Sequence, residues 1–195
     1  SINFQAPDEG AGTDAITAAA RIQAISEGDF SSSNNATSLE FRTASSGVVG
    51  TAAQGGRVRL TSDANLIVKD MTTADGSSPT ITLQTGDTDI AANDILGSIN
   101  FQAPDEGAGT DAILVSAGIQ AVSEGDFSSS NNATKLSFLT GASEAATSKM
   151  VLSSGGNLTV TGVGTFASLD ISGDIDVDGT TNLDIVDIDN AVNMA

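Results

Sequence analysis

Paired carboxylates are the first residues in this chain that could do chemistry. Asp8-Glu9 and Asp105-Glu106 sit in two copies of Pro-Asp-Glu-Gly-Ala-Gly, and two neighbouring carboxyl groups can divide acid and base roles in glycoside hydrolysis. Adjacent residues of an extended chain point to opposite faces, however, and Pro-Asp-x-Gly is turn chemistry. The turn reading prevails. Gly10-Ala11-Gly12 has the spacing of a phosphate-cradling loop, but no apolar strand precedes it and acidic neighbours stand where phosphate would lie. Asp174-x-Asp176-x-Asp178-Gly179 matches the opening of a calcium loop. Its twelfth position is Ile185, so the bidentate Glu that completes such a loop is missing. Alternation alone places those three carboxylates on one wet face, and a solvated ladder outweighs a calcium site. Lys149 with Ser153 or Ser154 has the residue types of a Ser/Lys pair, but Lys149 stands at a polar strand start, where a solvated base is the simpler reading. Asn35, Asn132 and Asn157 each open an Asn-x-Thr sequon, which matters only if the protein passes through a glycosylating compartment. No catalytic residue and no cofactor site is assigned.

Composition narrows the chemistry further. The chain of 195 residues has no Cys and no His, which removes disulfides, thiol nucleophiles, Cys/His zinc sites and imidazole proton shuttles. Net charge is −18 with seven Lys or Arg, so nucleic-acid backbones and anionic membranes would be repelled. No apolar run is long enough to span a bilayer, and no signal-peptide pattern is present. Trp and Tyr are absent, which argues against a sugar-stacking platform and an aromatic-lined substrate cleft.

The elements that must position these residues are short strands. Gly, Ser, Thr, Asn, Asp and Ala dominate, with Ile, Leu, Val and Phe at alternating positions between turn residues. Residues 1–16 recur unchanged at 98–113, and residues 26–37 recur unchanged at 123–134. SLEFRT (38–43) answers to KLSFLT (135–140), and LTSDANLIV (60–68) to LSSGGNLTV (152–160). This is a duplicated unit of 97 residues. The first copy carries about five extra residues around Ser45–Gly56, as a surface loop allows.

Ser98 follows Gly97 without a break, so Ser1 falls inside a strand-like run and the chain reads as a window cut from something longer. The expected organisation is unit one at 1–79, incomplete at its start, unit two at 80–163, and an acidic ladder at 164–195. Within unit two the expected strands are Thr80–Gln84, Ile95–Ala103, Ile113–Ser123, Lys135–Leu139, Lys149–Leu152 and Asn157–Val160. A helix over residues 17–25 is the main rival in unit one, but the period-two alternation and Gly118 of its copy favour a strand. Ile16, Ile22, Phe41 and Leu60 should share environments with Ile113, Ile119, Phe138 and Leu152. In the acidic ladder Ile171, Ile175, Val177, Ile185 and Ile188 should point inward while the Asp residues face water.

So lean an apolar content, spread over short strands, cannot close a core in one chain. Three chains around an axis can. The expected fold is therefore all-β: an elongated, tandem-repeat, intertwined trimeric fibre of β-helix or β-prism type, with little or no helix.

The blocks Gly97-Ser98-Ile99-Asn100-Phe101, Leu136-Ser137-Phe138-Leu139-Thr140 and the run Met150–Leu152 with Ser154–Leu158 resemble repeat modules of bacteriophage tail fibres. The acidic ladder resembles marine phage structural proteins. The resemblance implies an intertwined homotrimer, a virion or extracellular location, and partners limited to further copies of the fibre and other virion proteins. It implies no catalytic residue, so no enzyme is expected, and the charge balance and the lack of a long apolar run argue against nucleic-acid binding and membrane insertion. The functional expectation is a tail-fibre shaft that spaces a receptor-binding tip from the virion. A cellular surface fibril or adhesin stalk is the alternative, followed by a polysaccharide-degrading tailspike.

Overall fold

Period-two alternation forces strands wherever a neighbour can complete the hydrogen-bond ladder. In the computed structural model, which describes residues 1–5, 18–44, 56–73, 75–104, 114–168, 170–172 and 176–178, ten strands form. Unit one carries β1 (Ile2–Gln5), β2 (Ala18–Ser26), β3 (Thr37–Thr43), β4 (Arg57–Leu60) and β5 (Leu66–Lys69). Unit two carries β6 (Ile95–Phe101), β7 (Ala117–Ser123), β8 (Thr134–Thr140), β9 (Thr147–Leu152) and β10 (Leu158–Val160). Each set is one antiparallel meander with strands in chain order. No helix occurs among the described residues. The chain divides into units 1–83 and 84–195.

Turn chemistry fixes the register. The β4–β5 hairpin turns through Thr61–Asn65, with Thr61 N–H donating to Asn65 O and Ala64 N–H to Thr61 O, both at 3.0 Å. The β9–β10 hairpin repeats both bonds through Ser153, Gly156 and Asn157 at 3.0 Å. The left-handed position is Gly156 (φ 80°) in unit two but Ala64 (φ 62°) in unit one, where a Cβ costs about 1 kcal/mol.

The expected strands at Ile95, Lys135, Lys149 and Asn157 form, with ends shifted by a few residues, and residues 18–26 are strand rather than helix. One expectation fails. Thr80–Gln84 is not a strand: it has no ladder partner, and Ile81 and Leu83 are 69% and 51% exposed. Alternation selects a face but cannot supply a neighbouring strand. In the acidic ladder the described residues after Thr161 likewise form no strand, and Ile171 and Val177, expected to meet their equivalents from other chains, are exposed in the single chain. Ile175, Ile185 and Ile188, together with Ile16, Ile113 and the insertion at 45–55, lie outside the described residues.

Candidate functional site

Laterally paired residues of a sheet lie on the same face, so the registers assign every side chain. On one face of unit one, Ile2, Ile22, Phe41, Val58 and Val68 form a row across all five strands. Ala24, Leu39, Leu60 and Leu66 form the next. Unit two builds the same rows from Ile99, Ile119, Phe138, Met150 and Val160, and from Ala121, Leu136, Leu152 and Leu158. These faces are open. Phe41, Leu60 and Leu66 are 47%, 47% and 65% exposed, and Ile99 and Leu158 are 52% and 58%. Among the described residues the one buried hydrophobic side chain is Val122. The described residues of a single chain therefore form sheets without an apolar core. Ile22 and Ile119 are both half-buried, and Leu60 and Leu152 are both exposed. Phe41 is exposed where Phe138 is half-buried.

The opposite face differs between the units. In unit one it gathers Arg21, Arg42, Arg57, Arg59 and Lys69, five of the seven cations in a chain of charge −18. Glu40 lies at their centre, 1% exposed. It accepts from Arg42 Nε at 2.6 Å and pairs with Arg57 Nη1 at 3.6 Å and Arg59 Nε at 3.8 Å. Such an enclosed charge persists only because it is paired. In unit two the matching positions are Gly118, Ser137, Leu139, Lys149, Val151 and Thr161. Charged residues at Arg21, Glu40, Arg42 and Arg59 against uncharged counterparts were a signal in the sequence that the two faces differ, but which cations surround Glu40 follows only from the strand registers.

One carboxylate device recurs in both units. Glu27 accepts from Ser62 N–H at 3.0 Å and pairs with Arg59 Nη2 at 2.7 Å, and Glu124 accepts from Ser154 N–H at 2.9 Å. The Ser62 hydroxyl, then its backbone N–H and the Arg59 guanidinium, hold Glu27 below the usual carboxylate range. Ser154 does the same for Glu124, with Lys135 adding a smaller share. Each carboxylate ties the β2–β3 or β7–β8 loop to the distant hairpin.

The candidate chemical residues are dispersed. Asp8, Glu9, Gly10, Ala11, Gly12, Asp105, Glu106 and Asp174 lie outside the described residues. Asp176 and Asp178 are exposed. Lys149 is exposed, and Ser154 N–H is committed to Glu124. Asn35, Asn132 and Asn157 are exposed. An open groove of about 440 Å³ follows Phe41, Val58 and Val68 of unit one. Its one carboxylate, Asp70, accepts Thr72 N–H at 2.8 Å in a local turn, which lowers its pKa. A hollow of about 300 Å³ in unit two holds Glu144, whose carboxylate accepts Ser143 N–H at 3.1 Å. Neither hollow brings two acids together.

No protein-family model matches the chain, and no curated protein matches it. Among solved structures, tail-fibre domains are similar to it. One is the carboxy-terminal domain of the bacteriophage T5 L-shaped tail fibre with its intra-molecular chaperone domain, at TM-score 0.35 and 15% identity, over 99% of this chain and 63% of that one. Another is the carboxy-terminal domain of the same fibre, at TM-score 0.34 and 13% identity, over 93% of this chain and 87% of that one.

Proposed function

We propose that this protein is a non-enzymatic structural segment of an extracellular fibre, a bacteriophage tail-fibre shaft assembled as a homotrimer. Three copies turn their apolar sheet faces toward a common axis, and the polar faces meet water. The observation that carries this reading is the pair of uncovered apolar faces, repeated row for row in both units. Covering the exposed half of each such side chain recovers on the order of 1 kcal/mol, and every added copy of the repeat adds another face. The face residues Ile22, Ala24, Leu39, Phe41, Leu60, Leu66 and Val68 are unchanged at Ile119, Ala121, Leu136, Phe138, Leu152, Leu158 and Val160, with Val58 replaced by Met150, whereas on the opposite face Arg21, Glu40, Arg42 and Arg59 become Gly118, Ser137, Leu139 and Val151. That is the pattern expected of a face with a fixed partner. A shaft also accounts for the tandem repeat, since length scales with copy number. In the acidic stretch the Asp residues serve as solvated charges, with no bound metal.

The test is mass in solution. Sedimentation equilibrium at micromolar concentration should give three chains per particle, and Ile22→Asp with Ile119→Asp should release monomers that remain soluble. A folded wild-type monomer at that concentration would overturn the proposal.

A further inference from the structure

The polar face of sheet one carries more positive charge than its own carboxylates neutralise. Lateral pairing sets Arg21 beside Arg42, Arg42 beside Arg57 and Arg57 beside Lys69. Four cations therefore stand in one row across four strands, about 4.8 Å from strand to strand, and like charges directly opposite one another destabilise a sheet. Arg59, two residues along β4 from Arg57 and so on the same face, adds a fifth. Among the described residues the carboxylates that pair with them are Glu40 and Glu27. Five cations against two carboxylates leave this face positive in a chain of charge −18.

Glu40 does not serve all three arginines around it. Its Oε2 is taken by Arg42, at 2.6 Å from Nε and 2.5 Å from Nη2, and by Gln23 Nε2 at 3.4 Å. Arg57 Nη1 and Arg59 Nε both approach Oε1, at 3.6 Å and 3.8 Å, beyond hydrogen-bond length. The Nε groups of Arg57 and Arg59 are buried without a partner, and a desolvated N–H left unpaired is costly. The side chains of Arg42, Arg57 and Arg59 are still 16%, 20% and 30% exposed, so a small solute can reach them. Unit two shows that the sheet does not need this cluster to form: Gly118, Ser137, Leu139 and Val151 carry no charge, and the strand order is the same. The surplus of guanidinium groups in unit one therefore answers to something other than the fold.

We propose that Arg42, Arg57 and Arg59 form a binding site for a small tetrahedral dianion, sulfate or phosphate, in unit one only. Guanidinium forks match such oxyanions with paired N–H donors, and a dianion supplies the negative charge and acceptors that Glu40 leaves short. An extended polyanion meets the field of the whole chain, whose charge of −18 repels it. A small ion meets chiefly the charges within a screening length of about 8 Å, which here are the arginines. The site lies on the face opposite the apolar rows, so it is independent of the assembly proposed above.

The test titrates the full chain with sodium sulfate and, separately, sodium phosphate at neutral pH, with sodium chloride holding the ionic strength constant. Calorimetry should show saturable binding of one dianion per chain, and amide exchange should slow in β3 and β4 but not in β8 and β9. Arg57→Lys keeps the charge but removes the fork, and should weaken binding roughly tenfold. The joint replacement Glu40→Ser, Arg42→Leu and Arg59→Val installs residues that sheet two already carries. It should abolish binding while sheet one still forms, an arm that holds even if the Arg57→Lys chain folds poorly. Binding that survives this replacement, equal slowing of exchange in both sheets, no saturable binding of either ion, or binding of dextran sulfate alone would overturn the proposal.

Discussion

Sheet one and sheet two share strand order, an apolar face and the loops after their second and fourth strands, yet sheet one stores an ion network where sheet two places Ser, Gly, Leu and Val. Glu40 with Arg42, Arg57 and Arg59 corresponds to Ser137 with Leu139, Lys149 and Val151. Two chemically unlike faces thus support one topology. A set of mutually paired charges can be exchanged for small and apolar residues as a set, but no member can leave alone. The shared face, by contrast, stays apolar in both units, with Val58 to Met150 a change within that class.

Four experiments would break or sharpen this comparison. Phe41→Ala and Phe138→Ala should each cost about 3–5 kcal/mol if both apolar faces are buried on assembly, read from denaturant unfolding at fixed chain concentration. Unequal costs would mean that only one unit uses its face. Glu40→Ala should destabilise sheet one by about 3 kcal/mol, because it leaves three guanidinium groups facing one another. Ser137→Ala in sheet two should cost less than about 1 kcal/mol. Amide exchange resolves the two sheets separately, and the joint replacement Glu40→Ser, Arg42→Leu and Arg59→Val should recover most of the loss.

The hairpins give a smaller contrast. Ala64→Gly should stabilise unit one by about 0.5–1 kcal/mol, and Gly156→Ala should weaken unit two by a similar amount, since both positions are left-handed. Equal and opposite shifts in midpoint would confirm that the two turns are the same device. Acid gives the smallest effect. Glu27 and Glu124 both have lowered pKa values in the folded chain, so the native state binds fewer protons than the unfolded one. Their contribution is present above the ordinary value of 4.5 and fades as pH falls below it toward their lower folded values. Glu27→Gln and Glu124→Gln should flatten that dependence equally in the two units, as read by amide exchange at the two hairpins. Loss in one unit alone would show that the paired carboxylates are not equivalent.

Much of the fold was legible from residue order. The repeat located matching strands, and alternation in SLEFRT and KLSFLT identified Leu39, Phe41, Leu136 and Phe138 as one face. Two features were not legible. Thr80–Gln84 alternates like a strand, but a strand exists only where another chain segment offers its hydrogen-bonding edge. Glu27 and Ser62 are too far apart in sequence for any local pattern to join them, and only the meander brings the hairpin under the loop.

Sequence alone determined the repeat, the strand periodicity, the turn positions and the exclusion of imidazole and thiol chemistry, because these depend on residue type and on spacing along the chain. The tertiary structure decided which cations surround Glu40, which loop Glu27 and Glu124 tie to which hairpin, and that both apolar faces remain open in a single chain. Those outcomes depend on distances between residues remote in sequence, and such distances are set by strand pairing and burial rather than by local preference.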